Sequence, residues 1–226
     1  AVALCRKVNT SCAALRVAEK GWSRNKGLTA DDVAALAMIL QTNGLPRLQE
    51  LNLMLNSLGD AGVQALCEGL GHGAAPSLYT LGLDINKIGP AGAEALAAAL
   101  RRGALPKLSR SSRSNNPLGN QGLAALAAPL RTLPALKELF LLNNQIGDEG
   151  VASLLDNLGK DDFKALKQLD LDNNNITDTG YLKLAAAIEA GGLPKLNSLE
   201  YLFVENPVSD SAVQAVVDAV AKRSPQ

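Results

Sequence analysis

Aromatic residues are nearly missing from this chain: one Trp, three Tyr and three Phe make up 3% of its 226 residues. With 47% of residues hydrophobic and alanine abundant, that scarcity argues against one bulky core and for thin layers whose backbones approach closely. An excess of charge is missing too. Lys plus Arg and Asp plus Glu both number 22, so no overall field draws nucleic acid or an anionic membrane. Apolar runs such as Val33 to Leu40 fall well short of the ~20 residues a membrane-spanning helix needs, and nothing at the start resembles a signal peptide. The chain opens at Ala1, as expected of either a trimmed fragment or a mature form that has lost a targeting segment.

Cys5, Cys12 and Cys67 are sparse and odd in number, which fits buried reduced thiols better than a disulfide framework. The expected setting is a reducing compartment, the cytoplasm or an organelle. His72 stands alone in Gly71-His72-Gly73 and reads as a loop residue. No pair of His or Cys has metal spacing, no phosphate-binding glycine loop is present, and no serine has a base nearby in the pattern. The reading is therefore no catalytic residue, no metal and no cofactor. Two glycosylation sequons, at Asn9 and Asn175, are read as chance matches.

What the chain does contain is a repeat. Leu48, Leu51, Leu53, Asn56 and Leu58 recur as Leu78, Leu81, Leu83, Asn86 and Ile88, again from Leu136 to Ile146, and again from Leu166 to Ile176, in the pattern L-x-x-L-x-L-x-x-N-x-L. The asparagines stand at 56, 86, 116, 144, 174 and 206, so the steps are 30, 30, 28, 30 and 32 residues. A helical segment follows each strand motif. Thr29, Thr177 and Ser209 are acceptable N-caps, Gly59, Gly89 and Gly147 occupy the same site elsewhere, and Pro90, Asp60, Asp148 or Asp178 comes next in the first turn. Gly62, Gly92, Gly122, Gly150 and Gly180 are expected where a helix and a neighbouring backbone nearly touch. Pro46, Pro76, Pro106, Pro134 and Pro194 are expected to stop each helix before the next strand.

These paired motifs resemble the leucine-rich repeats of ribonuclease inhibitor and of NOD-like receptors, over about Ala18 to Arg223. The resemblance implies an α/β class fold: a right-handed solenoid, or horseshoe, with a parallel sheet on the concave face and helices on the convex face. It implies that the asparagines turn inward and bond backbone groups of adjacent coils. The whole chain, 1–226, is expected to be one domain. A capping helix covers 1–20, about seven repeats cover 18–208 with the first and last degenerate, and a closing helix covers 209–222.

Two segments depart from the pattern or mimic another. Leu108 to Leu118 places Ser111 and Arg113 at the two inward strand positions. Either the coil is remade against a partner, with Arg113 on the partner's carboxylate, or the pair is a tolerated defect with Arg113 snorkelling outward; the second reading is preferred. Asp170 to Asp178 superficially resembles a calcium loop but lacks the glycine and bidentate glutamate, and the repeat explains its residues better.

Side chains alternate across a strand, so the residues flanking the inward leucines share the concave face. Trp22, Met54, Phe140, Leu142, Leu202 and Val204 are apolar there, and such clusters mark protein interfaces. Arg24, Arg110, Asp84, Asp170 and Asp172 add charge, basic in the first coil and acidic towards the C-terminal half. These eleven residues form the candidate partner-binding site, against the alternative that some apolar side chains remain exposed on any surface. The expected function is a protein-binding module or scaffold subunit, with an enzyme inhibitor or the recognition part of an immune-type sensor as the alternative. The expected partner is a protein or a larger assembly, with no nucleic acid and no membrane insertion.

Overall fold

The computed structural model describes residues 20–21, 27–42, 44–71, 73–198 and 205–222, the first pair by backbone alone. Short strands and helices alternate through them: β1 (Lys20–Gly21), α1 (Ala30–Gln41), β2 (Glu50–Asn52), α2 (Gly59–Gly69), β3 (Thr80–Gly82), α3 (Pro90–Arg101) and β4 (Arg110–Ser112). There follow α4 (Gly119–Arg131), β5 (Glu138–Phe140), α5 (Asp148–Leu155), β6 (Gln168–Asp170), α6 (Asp178–Glu189) and α7 (Asp210–Ala221). The strands form one parallel sheet in sequence order, with Lys20 beside Glu50, Glu50 beside Thr80, Thr80 beside Arg110, Arg110 beside Glu138 and Glu138 beside Gln168. Each repeat therefore advances the chain by one strand. The core lies between sheet and helices, where Leu51, Leu53, Leu81, Leu83, Leu139, Leu141, Leu169 and Leu171 are buried. Each such leucine contributes about 1.5–3 kcal/mol, but only once the next coil covers it.

The asparagines do turn inward. Asn116 Nδ2 donates to the carbonyls of Leu83, Arg113 and Ser114, while its Oδ1 accepts from the Asn86 and Ile88 N–H groups at 3.0 Å each. The same two-coil contact recurs at Asn86 and Asn174. It fails once among the described residues: Asn144 Oδ1 is buried without a partner. The cause is local. Pro117 follows Asn116, and the Leu118 N–H turns back onto the Asn116 carbonyl at 2.9 Å in a three-residue turn, just as Val208 does onto Asn206 after Pro207 at 2.8 Å.

The helix starts show a division of labour that single-repeat reasoning does not reach. Thr29, Thr177 and Ser209 cap their own helices as expected. The first-turn acids do more than face a dipole: each reaches the start of the following helix. Asp60 Oδ1 accepts from Gly89 and Gly92 N–H at 2.7 and 2.9 Å, Asp148 Oδ1 from Thr177 and Gly180 at 2.9 and 3.0 Å, and Asp178 Oδ1 from Ser209 at 2.7 Å. This is why glycine recurs one turn later. A Cβ on Gly180 would stand 2.6 Å from Asp148 Oδ1 and 2.5 Å from Ile176 Cγ2. Gly119 follows a repeat whose first-turn residue is Pro90, which has no carboxylate to offer. It takes φ +62° instead and donates to the Asn144 carbonyl at 2.9 Å.

The prolines do not end the helices. α1 ends at Gln41 and α3 at Arg101, whereas Pro46 and Pro106 follow later, each at the second position of a turn closed by a hydrogen bond from Leu48 to Leu45 or from Leu108 to Leu105. The locked ring favours that position, so proline sets the approach to the next strand.

Arg113 does not snorkel. It is 1% exposed, and its Nε and both Nη atoms have no hydrogen-bond partner; Ser111 Oγ is likewise buried and unpartnered. The backbone explains the failure to escape. Arg113 N–H donates to Phe140 and its carbonyl accepts from Asn116 and Asn144, so both neighbouring bonds hold the side chain inward. Burial pushes the guanidinium down to about 10. Residues 1–19 of the expected capping helix, residues 201–204 of the degenerate last repeat, Cys5, Cys12 and His72 lie outside the described residues, while Lys20 stands in β1. The closing helix, α7, is present.

Candidate functional site

Successive strands place alternate side chains in rows across the sheet face, about 4.8 Å apart from strand to strand. On β4 and β5 this puts Arg110 opposite Glu138 and Ser112 opposite Phe140. Arg110 forms an ion pair with Glu138, and its guanidinium carbon lies 5.6 Å from the centre of the Phe140 ring. Glu138 thus fixes the cation over the ring. Phe140 and Leu142 are half-buried, Arg110 exposed and Met54 half-buried on β2's side of the sheet.

The acids of the face do not stand out into solvent. Asp84, Asp170 and Asp172 are all buried. Asp84 Oδ1 accepts from the Ser112 hydroxyl and from the Ser114 N–H at 3.0 Å, which ties coil to coil. Asp170 Oδ1 accepts from the Asp172 N–H at 3.1 Å. Burial pushes the Asp170 carboxyl up to about 6, with the Asp172 charge adding to the rise and its N–H opposing it. The Asp170 carboxyl consequently titrates just below neutrality.

Met54, Asp84, Arg110, Phe140, Leu142, Asp170 and Asp172 therefore all lie on or beside the sheet face, and Arg110, Phe140, Leu142 and Asp170 come from adjacent coils. Trp22, Arg24, Leu202 and Val204 lie outside the described residues. Two contacts escaped sequence reasoning: the Tyr79 hydroxyl donates to Glu50 at 2.9 Å, and Asn143 donates to Asn115 at 2.9 Å. Both join residues 28 or 29 apart, and the repeat step was the only signal for them. The residues of the calcium-like stretch are taken up by the fold, with Asn174 in the asparagine ladder and Asp178 capping the following helix. Among the described residues no group of three His, Cys, Asp or Glu stands close enough to hold a metal ion, and no helix is long and apolar enough to cross a membrane.

The family profile described as Leucine Rich repeat matches residues 45–67, 133–155 and 165–185. The fold is that of a leucine-rich-repeat solenoid. The three matched segments each span a strand motif and all or most of the helix after it, and the same geometry continues through the unmatched coils between them. No curated protein matches the chain in sequence. Leucine-rich repeats generally mediate contacts between proteins, because stacked short strands present one extended face to a partner.

Proposed function

We propose that this solenoid is a protein-recognition module that reads its partner on the sheet face, centred on Arg110, Phe140, Leu142, Asp170 and Asp172. The observation that carries the reading is the fixed cluster of Arg110, Glu138 and Phe140. An aromatic ring held under a cation by a neighbouring strand gives up little conformational freedom on binding, and aromatic and arginine side chains dominate the energetics of protein interfaces. Asp170 and Asp172 beside it favour a partner that brings positive charge. Whether the complex serves as a scaffold, an inhibitor or a sensor depends on what lies on the other side of it. The sparse cysteines favour a reducing compartment, and Cys67 is a buried free thiol pushed up to about 12 by that burial.

The test begins with purification of the native protein and identification of what remains bound through gel filtration. Phe140→Ala should then weaken that complex by about thirtyfold, the equivalent of ~2 kcal/mol, and Arg110→Ala should weaken it as well by removing the exposed cation held over the ring. Wild-type affinity in both variants would remove the sheet face from the interaction.

A further inference from the structure

The chain is electrically balanced, but its charges are not mixed evenly over the solenoid. Acids are taken up on the sheet face, by Asp84, Asp170 and Asp172, and at the helix starts, by Asp60, Asp148 and Asp178. Cations gather on the other edge, where each helix has ended and the chain turns into the next strand. Lys137, Lys164, Lys167 and Lys195 stand there on consecutive coils, all exposed, and none forms an ion pair among the described residues. The backbone sets their spacing. Lys167 N–H donates to the Lys137 carbonyl at 2.8 Å, so the two are direct neighbours in the ladder just ahead of β5 and β6, about 4.8 Å apart at the backbone. Lys164 lies in the turn that the Leu166 N–H closes onto the Phe163 carbonyl, immediately before Lys167. Like charges side by side on adjacent strands cost stability. The carboxylates nearest in sequence do not relieve them: Glu138 holds Arg110, Asp156 holds Lys183 and Asp162 accepts from the Gly159 N–H. Helix dipoles do not account for them either. α4 ends at Arg131 and α5 at Leu155, well before Lys137 and Lys164, and the last carbonyls of α5 are served by Arg131.

We propose that this edge binds an acidic segment of a partner protein, an extended run of Asp and Glu lying across the strand starts from coil to coil. An extended chain presents a side chain every ~3.3 Å, so carboxylates in such a run meet the lysines of successive coils without needing one fixed register. Bound carboxylates set attraction against the repulsion between Lys137 and Lys167. Other polyanions match the edge less well. Lysine offers point charges rather than the planar fork with which arginine grips phosphate, and no exposed aromatic ring stands among these lysines to stack on a base. An anionic membrane laid flat on the edge would also meet the exposed carboxylates of Asp156 and Asp161, in the loop between α5 and β6. A segment running along the strand starts passes them by.

This edge is separate from the sheet face, and its test does not depend on the partner of that face. A fluorescently labelled polyglutamate peptide, titrated with the full chain and followed by anisotropy, should bind at low salt and weaken steeply as salt rises. Lys137→Glu combined with Lys167→Glu should weaken binding by roughly tenfold. Lys87→Glu, an exposed position on the opposite edge, should leave it unchanged. A second measurement uses the wild-type chain alone and so stands even if the double variant fails to fold. Bound peptide should protect Lys137, Lys164 and Lys167 from acetylation by acetic anhydride, read residue by residue in mass spectrometry, while Lys87 reacts as before. Equal labelling with and without peptide, or an affinity indifferent to the double reversal, overturns the proposal. So does tighter binding to phosphatidylserine vesicles or to oligothymidylate than to the peptide, which would assign the edge to a membrane or to nucleic acid.

Discussion

Arg113→Leu should make the isolated protein more stable, against the usual direction of a substitution in a packed interior. The guanidinium is fully buried with none of its nitrogens partnered, and burial holds it down to about 10. Since one pKa unit is worth about 1.4 kcal/mol, the charge costs the fold roughly 3 kcal/mol at neutral pH. A leucine there joins Leu83 and Leu141 of the flanking coils and recovers part of the ~1.5–3 kcal/mol that a buried leucine contributes. At about 2–4 °C per kcal/mol for a chain of this size, the melting temperature should rise by roughly 10 °C. Differential scanning calorimetry at pH 7 reads this directly. The pH dependence carries a second sign. A base with a lowered folded-state pKa binds fewer protons folded than unfolded between about 10 and its ordinary value, so wild-type stability recovers as pH rises through that window. The gap between variant and wild type should therefore narrow above about pH 10. An unchanged or lower melting temperature at pH 7, or a gap that does not narrow, would mean that the guanidinium is satisfied in the folded protein and that the reasoning fails.

Asn116→Ala should cost more than Asn144→Ala in urea unfolding, by about 1–3 kcal/mol, because Asn116 serves five backbone partners whereas the Asn144 Oδ1 serves none; equal costs would refute the broken ladder. Gly180→Ala should destabilise by about 1–3 kcal/mol through its clash with Asp148 and Ile176. Adding Asp148→Ala should relieve part of that loss, and strict additivity would show that the carboxylate is not what requires glycine. Asp170→Asn should melt above wild type at pH 7 but match it below about pH 4. A carboxyl whose folded-state pKa is raised holds its proton longer when folded, so wild-type stability falls as pH rises to about 6 and is flat beyond; melting curves from pH 3 to 8 check this.

The sequence alone determined the repeat step, the strand positions, the caps at Thr29, Thr177 and Ser209 and the inward asparagines, because each depends on residues within one repeat or on strict periodicity between repeats. The sheet face was legible for the same reason: alternation along a strand is local. What only the tertiary structure decided lies between coils. Sequence placed Asp84, Asp170 and Asp172 on the face but could not show that neighbouring strands bury them, nor that Glu138 draws Arg110 over Phe140. It put Asp60, Asp148 and Asp178 at helix starts without showing that each serves the helix of the following repeat, about 30 residues on. It allowed Arg113 an outward path that hydrogen bonds from Asn116 and Asn144 close off. Local propensity and period are written along the chain, whereas burial, pairing and pKa depend on which atoms the stacking of adjacent coils brings within a few ångströms.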